Sequence, residues 1–244
     1  MRHPPKLTHA GHTTTLLTYT STMDCYSWSI PAGAPSLGGS CPAELVDEPN
    51  AICNGCYAKH GRYRFPLVKK AQATRLAFAK SSLLLDNGMR LFETLHSAIY
   101  NLSTPYFRVH DSGDFFSLPY LQVWHDIAEA LPRTKFWFPT RTHAFPHWSQ
   151  PLAALAALPN CTVRPSSTHV GNRPPIYPFL HAGTTVSTPQ KGTKTCPKTI
   201  NHTSCATEGC RSCWTAKATA INYLPHGSLT TFTPLTTTAR TQHA

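Results

Sequence analysis

Between residues 66 and 165, short apolar runs alternate with longer amphipathic segments. LVKKAQATRLAFAK and MRLFETLHSAIY have the Ala and Leu content of helices, and Asp86-Asn87-Gly88 separates them. Three apolar runs then predict strands at 106–110, 135–138 and 161–164. The segments between these strands, SLPYLQVWHDIAEALP and FPHWSQPLAALAALP, are predicted as helices, and the first carries its apolar residues on one face.

Strands that alternate with helices favour a parallel sheet, because parallel neighbours need a long crossover connection. The predicted fold class is therefore α/β, with residues 25–65 as loop and no regular pattern after residue 165. We predict an N-terminal arm at 1–24, the α/β domain with its cysteine-rich loop at 25–190, a four-cysteine metal-binding segment at 191–227 and a flexible tail at 228–244.

Ligands bind at the carboxyl ends of the strands in parallel sheets. The three predicted strands end in polar segments, HDSGD, TRTH and RPSS. These segments contain carboxylates, turn amides and two arginines, whose guanidinium groups suit a carboxylate or a phosphate. We predict a small-molecule site there, formed by Asp111, Ser112, Gly113, Asp114, Arg141 and Arg164. The alternative is a solvated turn whose aspartate caps the next helix.

Composition narrows the functional classes. The 244 residues include 22 Lys and Arg against 11 Asp and Glu, a net charge of +11. This charge is compatible with a nucleic-acid partner, and a basic surface without a specific partner is the alternative. No apolar run reaches the ~18 residues of a membrane span, and the first 17 residues lack the apolar core of a signal peptide. We therefore expect a cytoplasmic protein with no membrane contact, in which clustered cysteines are metal ligands rather than disulfides.

The N-terminal cysteine set is Cys41, Cys53 and Cys56, in SCPAELVDEPNAICNGCYA. Two sulfurs separated by a tight Asn-Gly turn can face one ion, and thiolates suit zinc or an iron–sulfur cluster. Three thiolates would leave one iron of a [4Fe–4S] cluster open, whereas Cys25 as a fourth ligand would close it. Unligated buried cysteines or a thioredoxin-like redox pair would also be compatible with this spacing.

The C-terminal cysteine set lies within TCPKTINHTSCATEGCRSCW and consists of Cys196, Cys205, Cys210 and Cys213. Four cysteines within eighteen residues predict a closed tetrathiolate site. Structural zinc and a second [4Fe–4S] cluster are equally compatible with the spacing. A single site that takes ligands from both cysteine sets is also compatible with it.

Three motifs together resemble a known family. WSIPAG…SCPAE…CNGCYAKHGRY, RVHDSGDFFSLPYLQVW and the C-terminal C…C-x-x-C-W are similar to the phage gene-product-88 family over about residues 25–215. The pattern also resembles radical SAM proteins, which implies a partial βα barrel with a cysteine loop after an early strand. In those enzymes a three-cysteine motif holds a [4Fe–4S] cluster, and a turn after the second strand receives the methionine end of S-adenosylmethionine (SAM). Ser112-Gly113-Asp114 corresponds to that turn.

These expectations lead to three functional hypotheses. The first is a phage-encoded, radical-SAM-like enzyme of unknown substrate, with one or two [4Fe–4S] clusters and SAM. The second is a nucleic-acid-binding protein stabilised by zinc or a cluster. The third is an electron carrier without SAM chemistry.

Overall fold

In a computed structural model of the chain, residues 4–44, 48–216 and 219–225 are described. The strands are β1 (Lys6–His9), β2 (His12–Thr15), β3 (Thr18–Thr20), β4 (Cys25–Trp28), β5 (Tyr106–Val109), β6 (Lys135–Thr140), β7 (Cys161–Pro165), β8 (Thr184–Val186), β9 (Thr193–Thr195) and β10 (Ala220–Tyr223). The helices are α1 (Pro66–Asp86), α2 (Met89–Leu102), α3 (Leu118–Ala130), α4 (Ser149–Ala157) and α5 (Pro197–Asn201).

The central sheet has five strands in the order β3-β4-β5-β6-β7. β4 to β7 are parallel and neighbour one another in chain order, whereas β3 pairs antiparallel with β4. Helices connect the parallel strands, since a parallel neighbour can be reached only by a crossover. The predicted α/β class is thus confirmed.

The two faces of this sheet have different partners, because successive side chains of a strand point to opposite sides. Phe107, Phe136 and Phe138 belong to the main core, together with apolar residues of α1 to α4. Trp137, which lies between two of them in sequence, packs instead with Met23, Cys25, Cys205 and Trp214. The helices therefore cover one face, and a C-terminal cysteine segment covers part of the other.

Four strands lie outside the predicted pattern. Residues 25–28, predicted as loop, form the fully buried strand β4. The second sheet, β8-β10-β9, is parallel and falls where no regular pattern was expected. A bridge between Ser166 and Thr184 links its first strand to the segment after β7. β8 and β9 have only three residues each, too few to show an alternating pattern. β4 and β10 have four residues, as β5 does, but no predicted helix flanks them.

The ends of the chain also differ from the prediction. In place of an N-terminal arm, the structure has the β1–β2 hairpin and the edge strand β3. The second sheet spans the boundary predicted at residue 190, and the predicted tail at 228–244 lies outside the described residues. Among the described residues the strands form three sheets that do not close into a barrel. No helix in this part of the chain combines the length and apolarity needed to cross a bilayer.

The turn after β5 is hydrogen-bonded to the loop that leads to Cys41. The Ile30 amide donates to the Ser112 carbonyl at 3.1 Å, and the Asp114 amide donates to the Ser40 hydroxyl at 3.3 Å. Gly113, between them, has φ +86°, and a Cβ there would lie 2.5 Å from both Ile30 Cγ1 and Ser40 Oγ. Only glycine allows the turn to approach this closely.

We expect Gly113→Ala to lower the free energy of unfolding by about 2–4 kcal/mol, because the left-handed backbone and the steric overlap both add strain. Gly192→Ala is the matched control, since Gly192 has φ +83° with nothing within 4 Å of a Cβ. It should cost only the backbone term of about 1–2 kcal/mol. Urea denaturation of both variants measures the difference. Equal losses of unfolding free energy would contradict a steric requirement for glycine at residue 113.

Candidate functional site

A cavity of about 360 Å³ lies at the carboxyl ends of the central parallel strands. It extends over the face of the sheet that carries Arg108 and Trp137, opposite the helices. Polar residues that follow β5, β6 and β7 all reach it, as the sequence predicted for one shared rim. The predicted site residues that line it are Cys41, Cys53, Cys56, Asp111, Ser112, Gly113, Asp114, Arg141, Cys196, Cys205 and Cys213.

The loop with the N-terminal cysteines is held against the segment that follows β7. The Ile52 amide donates to the Thr168 carbonyl at 2.8 Å, and the Val170 amide donates to the Asn50 carbonyl at 3.0 Å. Burial raises the pKa of Cys41 to about 12, and the nearby Asp114 carboxylate adds to this. Burial also raises the pKa of Cys56. These thiols therefore hold their protons unless a cation compensates the thiolate charge.

The C-terminal set reaches the cavity through three of its four members. Cys196, Cys205 and Cys213 line it, and Cys210 is not among the lining residues. Burial raises the pKa of Cys213 to about 11. Burial acts in the same direction at Cys210, but hydrogen bonds from Ser212 and the charge of Lys194 outweigh it and lower the pKa of that thiol.

Cys25 lies with the C-terminal set. It packs with Cys205, Trp137 and Trp214 in one buried cluster, and it is not a lining residue of the cavity. Burial raises its thiol pKa to about 12. Its role as a fourth ligand of the N-terminal set stays untested, but its contacts point toward the other group.

The sulfurs do not form a compact tetrahedral set in the described residues. The only three or more His, Cys, Asp or Glu side chains whose ligand atoms lie within 4.8 Å of one another there are His125, Asp126 and Glu129 on α3. This group is partly exposed and away from both cysteine sets. The cysteines of each set are therefore spread more widely than a single ion would hold them.

The two aspartates of the strand-end turn have different roles. Asp114 Oδ1 accepts hydrogen bonds from the Phe115 amide (2.8 Å) and the Thr140 hydroxyl (2.7 Å). Asp114 Oδ2 accepts from the Arg141 amide at 2.9 Å. Both of its oxygens are thus used inside the protein, although burial still raises its pKa. The Asp111 carboxylate accepts one hydrogen bond, at Oδ2 from the Tyr63 hydroxyl at 3.0 Å, and its Oδ1 atom is buried without a partner.

Unpaired polar atoms are concentrated at the cavity. Eight buried side-chain nitrogen or oxygen atoms among the described residues have no hydrogen-bond partner, and six belong to residues that line it. They are Glu44 Oε2, Arg108 Nε, His110 Nδ1, Asp111 Oδ1, Ser112 Oγ and Trp137 Nε1. A buried polar atom without a partner costs about 1–3 kcal/mol. The cavity lining therefore offers both unpaired donors and unpaired acceptors.

His110 presents an uncharged donor to this cavity. The Tyr120 hydroxyl accepts from Trp28 Nε1 at 2.8 Å and lies 2.9 Å from His110 Nε2. Since the indole can only donate, the tautomer in which the phenol donates to Nε2 and the neutral imidazole carries its proton on Nδ1 uses both the donor and the acceptor function of the Tyr120 hydroxyl. Burial lowers the pKa of His110 to about 3, and the Arg108 charge adds to this. The unpaired Nδ1–H is therefore available to a ligand acceptor.

Two arginines were assigned to the site from the sequence, and the structure separates them. Arg141 lines the cavity and donates from Nε to the Ser167 carbonyl at 3.1 Å. Arg164 is fully buried and does not line it. Its guanidinium donates to four backbone carbonyls, those of Ala182, Ser212, Cys213 and Thr215. The placement of Arg164 at the cavity was wrong, because it ties the C-terminal cysteine segment to β7.

Sequence reasoning missed Arg108, which lines the cavity from β5. Its guanidinium carbon lies 4.7 Å from the centroid of the Trp137 ring, and Nη2 donates to the Tyr57 hydroxyl at 2.8 Å. No carboxylate in the described residues forms an ion pair with it. Strand alternation could have identified it, since Arg108 lies between the apolar residues Phe107 and Val109.

We expect Arg164→Met to lower the free energy of unfolding by about 3 kcal/mol or more, because buried carbonyls lose their donors. For a chain of this size that corresponds to a melting temperature lower by roughly 6–12 °C. The control is Arg173→Met, which removes an exposed arginine and should change the melting temperature by less than about 2 °C. Similar losses in the two variants would contradict a structural role for Arg164.

Comparison with protein families gives one match. The family described as gene product 88 matches residues 5–178, more than two thirds of the 244 residues. Neither the curated proteins nor the solved structures give a match. The matched range includes the N-terminal cysteines and the strand-end turns, and it ends before the C-terminal cysteine set. The chain belongs to the gene product 88 family.

Proposed function

We propose that this protein binds a four-iron cluster through Cys41, Cys53 and Cys56, and a small polar molecule of the SAM type in the adjoining cavity. One observation carries the proposal. The three thiols line the same cavity as Asp111 and Ser112, whose side chains hold unpaired polar atoms. Three cysteine ligands on a four-iron cluster leave one iron without a protein thiolate, next to these atoms.

The donor set fits iron and sulfide. Thiolates are soft ligands, and buried thiols with raised pKa values become thiolates only when a cation compensates the charge. Arg141 adds positive charge near Cys41 and Cys56 and lowers the pKa of both, against the larger effect of burial. The N-terminal loop is therefore prepared for a cationic centre rather than for free thiolates.

The spread of the sulfurs supports a cluster over zinc. Zinc bonds each sulfur at about 2.3 Å, so a tetrahedral site needs sulfurs about 3.8 Å apart. No three cysteine sulfurs of the described residues lie within 4.8 Å of one another. A four-iron cluster binds its thiolates on different irons and so suits a wider set.

The unpaired atoms fit a molecule that carries both an acceptor and a donor group. Arg108 Nε and His110 Nδ1 are donors suited to a carboxylate, and Asp111 Oδ1 is an acceptor suited to an ammonium group. The methionine end of SAM has both groups. Asp111 replaces Asp114 as the direct contact in this proposal, because the Asp114 oxygens are occupied within the protein.

The topology supports a radical-SAM-like arrangement. β4 to β7 neighbour one another in chain order, the cysteine loop follows the first of them, and the cavity lies on the face away from the helices. A partial βα barrel has the same order and the same division of faces. When bound and reduced, the cluster would supply one electron to the SAM-type molecule.

The C-terminal set would hold a second cluster at the same cavity, because its sulfurs are also spread more widely than a tetrahedral zinc site requires. Cys196, Cys205 and Cys213 supply its cavity side, and Arg164 fixes the carbonyls around Cys213. An electron carrier is the competing function, and it requires no small molecule in the cavity. A nucleic-acid-binding role has separate support in the distribution of charge on the surface outside the cavity.

We expect protein purified without oxygen to be brown and to contain iron and acid-labile sulfide. Cys53→Ala and Cys56→Ala should each lower the iron content by half or more, because each removes a cluster ligand. Cys161→Ala is the control, since Cys161 is a buried cysteine of β7 outside the cavity, and its iron content should match the parent. A colourless protein with stoichiometric zinc alone, after growth with ample iron, would exclude the cluster.

SAM should change the electron paramagnetic resonance signal of the reduced protein. In Asp111→Asn, the SAM concentration needed for half of this response should rise at least tenfold, because a hydrogen bond to a charged group is lost. The iron content should be retained. Asp126→Asn, at a partly exposed position of α3, should respond like the parent. A normal cluster signal that SAM leaves unchanged would favour the electron carrier instead.

A further inference from the structure

We infer that the exposed face formed by residues 59–80 binds single-stranded nucleic acid beside the cavity. This inference concerns a surface outside the cavity, and it holds whether or not a cluster is bound. Acidic and basic residues are unevenly distributed along the chain. No Asp or Glu occurs between Glu48 and Asp86, whereas seven Lys and Arg lie in that interval.

Most of these cations have no partner within the protein. Arg62, Arg64, Lys69 and Lys70 are exposed, and no carboxylate of the described residues lies within 4.0 Å of them. Lys59 and Arg75 are exceptions, because Lys59 pairs with Glu44 and the buried Arg75 donates to the Thr15 and Ser29 carbonyls. Free cations on one short segment are available to neutralise phosphates, which is the main source of affinity for nucleic acids.

The cations follow one continuous surface. Lys69, Ala73, Ala77 and Lys80 are exposed at spacings of three or four residues, so they lie along one side of α1. Lys69 and Lys80 are eleven residues apart, so the surface between them extends about 16 Å along the helix. The alanines between the lysines leave no bulky side chain in the way of a backbone that follows the helix.

An aromatic ring distinguishes this surface from a general basic patch. Phe65 is 59% exposed and directly precedes α1, between Arg64 and the two lysines. An exposed ring between cations can stack on an unpaired base. A duplex has no unpaired bases, so this surface favours a single strand. The same segment also supplies Lys59 and Tyr63 to the cavity lining. A strand bound here therefore lies next to the cavity.

The test uses the full chain and fluorescence anisotropy with labelled 20-nucleotide single-stranded RNA and DNA over a series of salt concentrations. The fourfold variant Arg62→Gln, Arg64→Gln, Lys69→Gln, Lys70→Gln should bind at least tenfold more weakly at low salt. Its slope of log affinity against log salt should fall by roughly 3, for four lost phosphate contacts at about 0.7 each. The matched control replaces four other exposed cations, Arg133, Lys135, Arg173 and Lys191, by Gln. It removes the same charge and should stay within about threefold of the parent.

Phe65→Ala tests the stacking contact. It should weaken single-strand binding about tenfold without changing the salt slope, whereas Leu67→Ala, an 83% exposed apolar neighbour, should have no effect.

Iron and sulfide are measured in every variant and should equal the parent, so that a failure of this inference is separate from a failure of the cluster proposal. Equal losses in the two fourfold variants, or no binding at low salt, would overturn the inference. Binding of this face to phosphatidylserine vesicles but not to nucleic acid would also overturn it.

Discussion

The carboxylate of Asp114 connects the ends of two parallel strands. It follows β5 in sequence, and its oxygens receive the Thr140 hydroxyl and the Arg141 amide from the end of β6, as well as the next amide of its own turn. Burial of a carboxylate is unfavourable unless several donors compensate it. Three donors do so here, and they fix the turn in a single position. That position directs Asp111 and Ser112 into the cavity and presses Gly113 against Ser40, the residue before Cys41. The loop with Cys41 and the polar rim are therefore arranged by the same turn.

The division of the sheet into two faces explains why the cavity has an unusual composition. Phe136 and Phe138 face the helices, and Trp137 faces the cavity with Arg108 stacked on it. An arginine without a carboxylate partner in a partly buried aromatic environment retains strong electrostatic attraction for an anion, because the surroundings screen it weakly. The unpaired atoms of His110 and Asp111 lie at the same cavity. Buried polar groups without partners are costly, and the cost would be offset if a ligand supplied the missing hydrogen bonds.

The sequence was sufficient for the βα rhythm, because β5, β6 and β7 are apolar runs separated by amphipathic helices. It also predicted correctly that the segments after these strands meet at one rim. It missed β4 and the second sheet, because these short strands lie outside that alternation and are stabilised by neighbours distant in sequence. It could not tell that Asp111 has an unpaired oxygen at the cavity whereas both oxygens of Asp114 are hydrogen-bonded within the protein. Nor could it tell that Arg108 lines the cavity whereas Arg164 binds backbone carbonyls. Both differences depend on which groups the fold brings to each side chain. The basic face was also missed, since Gly61, Tyr63 and Phe65 interrupt the run of cations in the sequence.

The net charge of +11 is divided between two environments. Arg108, Arg141 and Lys198 line the cavity with six cysteines, and there their charge can compensate thiolates in a metal centre. Arg62, Arg64, Lys69 and Lys70 are exposed and have no acidic side chain to pair with in the described residues. Thiolates buried in the cavity cannot neutralise these outer cations effectively, because salt and water screen charges beyond about 10 Å. The outer charge thus needs an external counterion. A polyanion that lies along α1 provides many phosphates at once and releases the small ions that would otherwise surround the lysines. A partner bound to the proposed face of residues 59–80 would lie beside the cavity, because Lys59 and Tyr63 of the same segment line it.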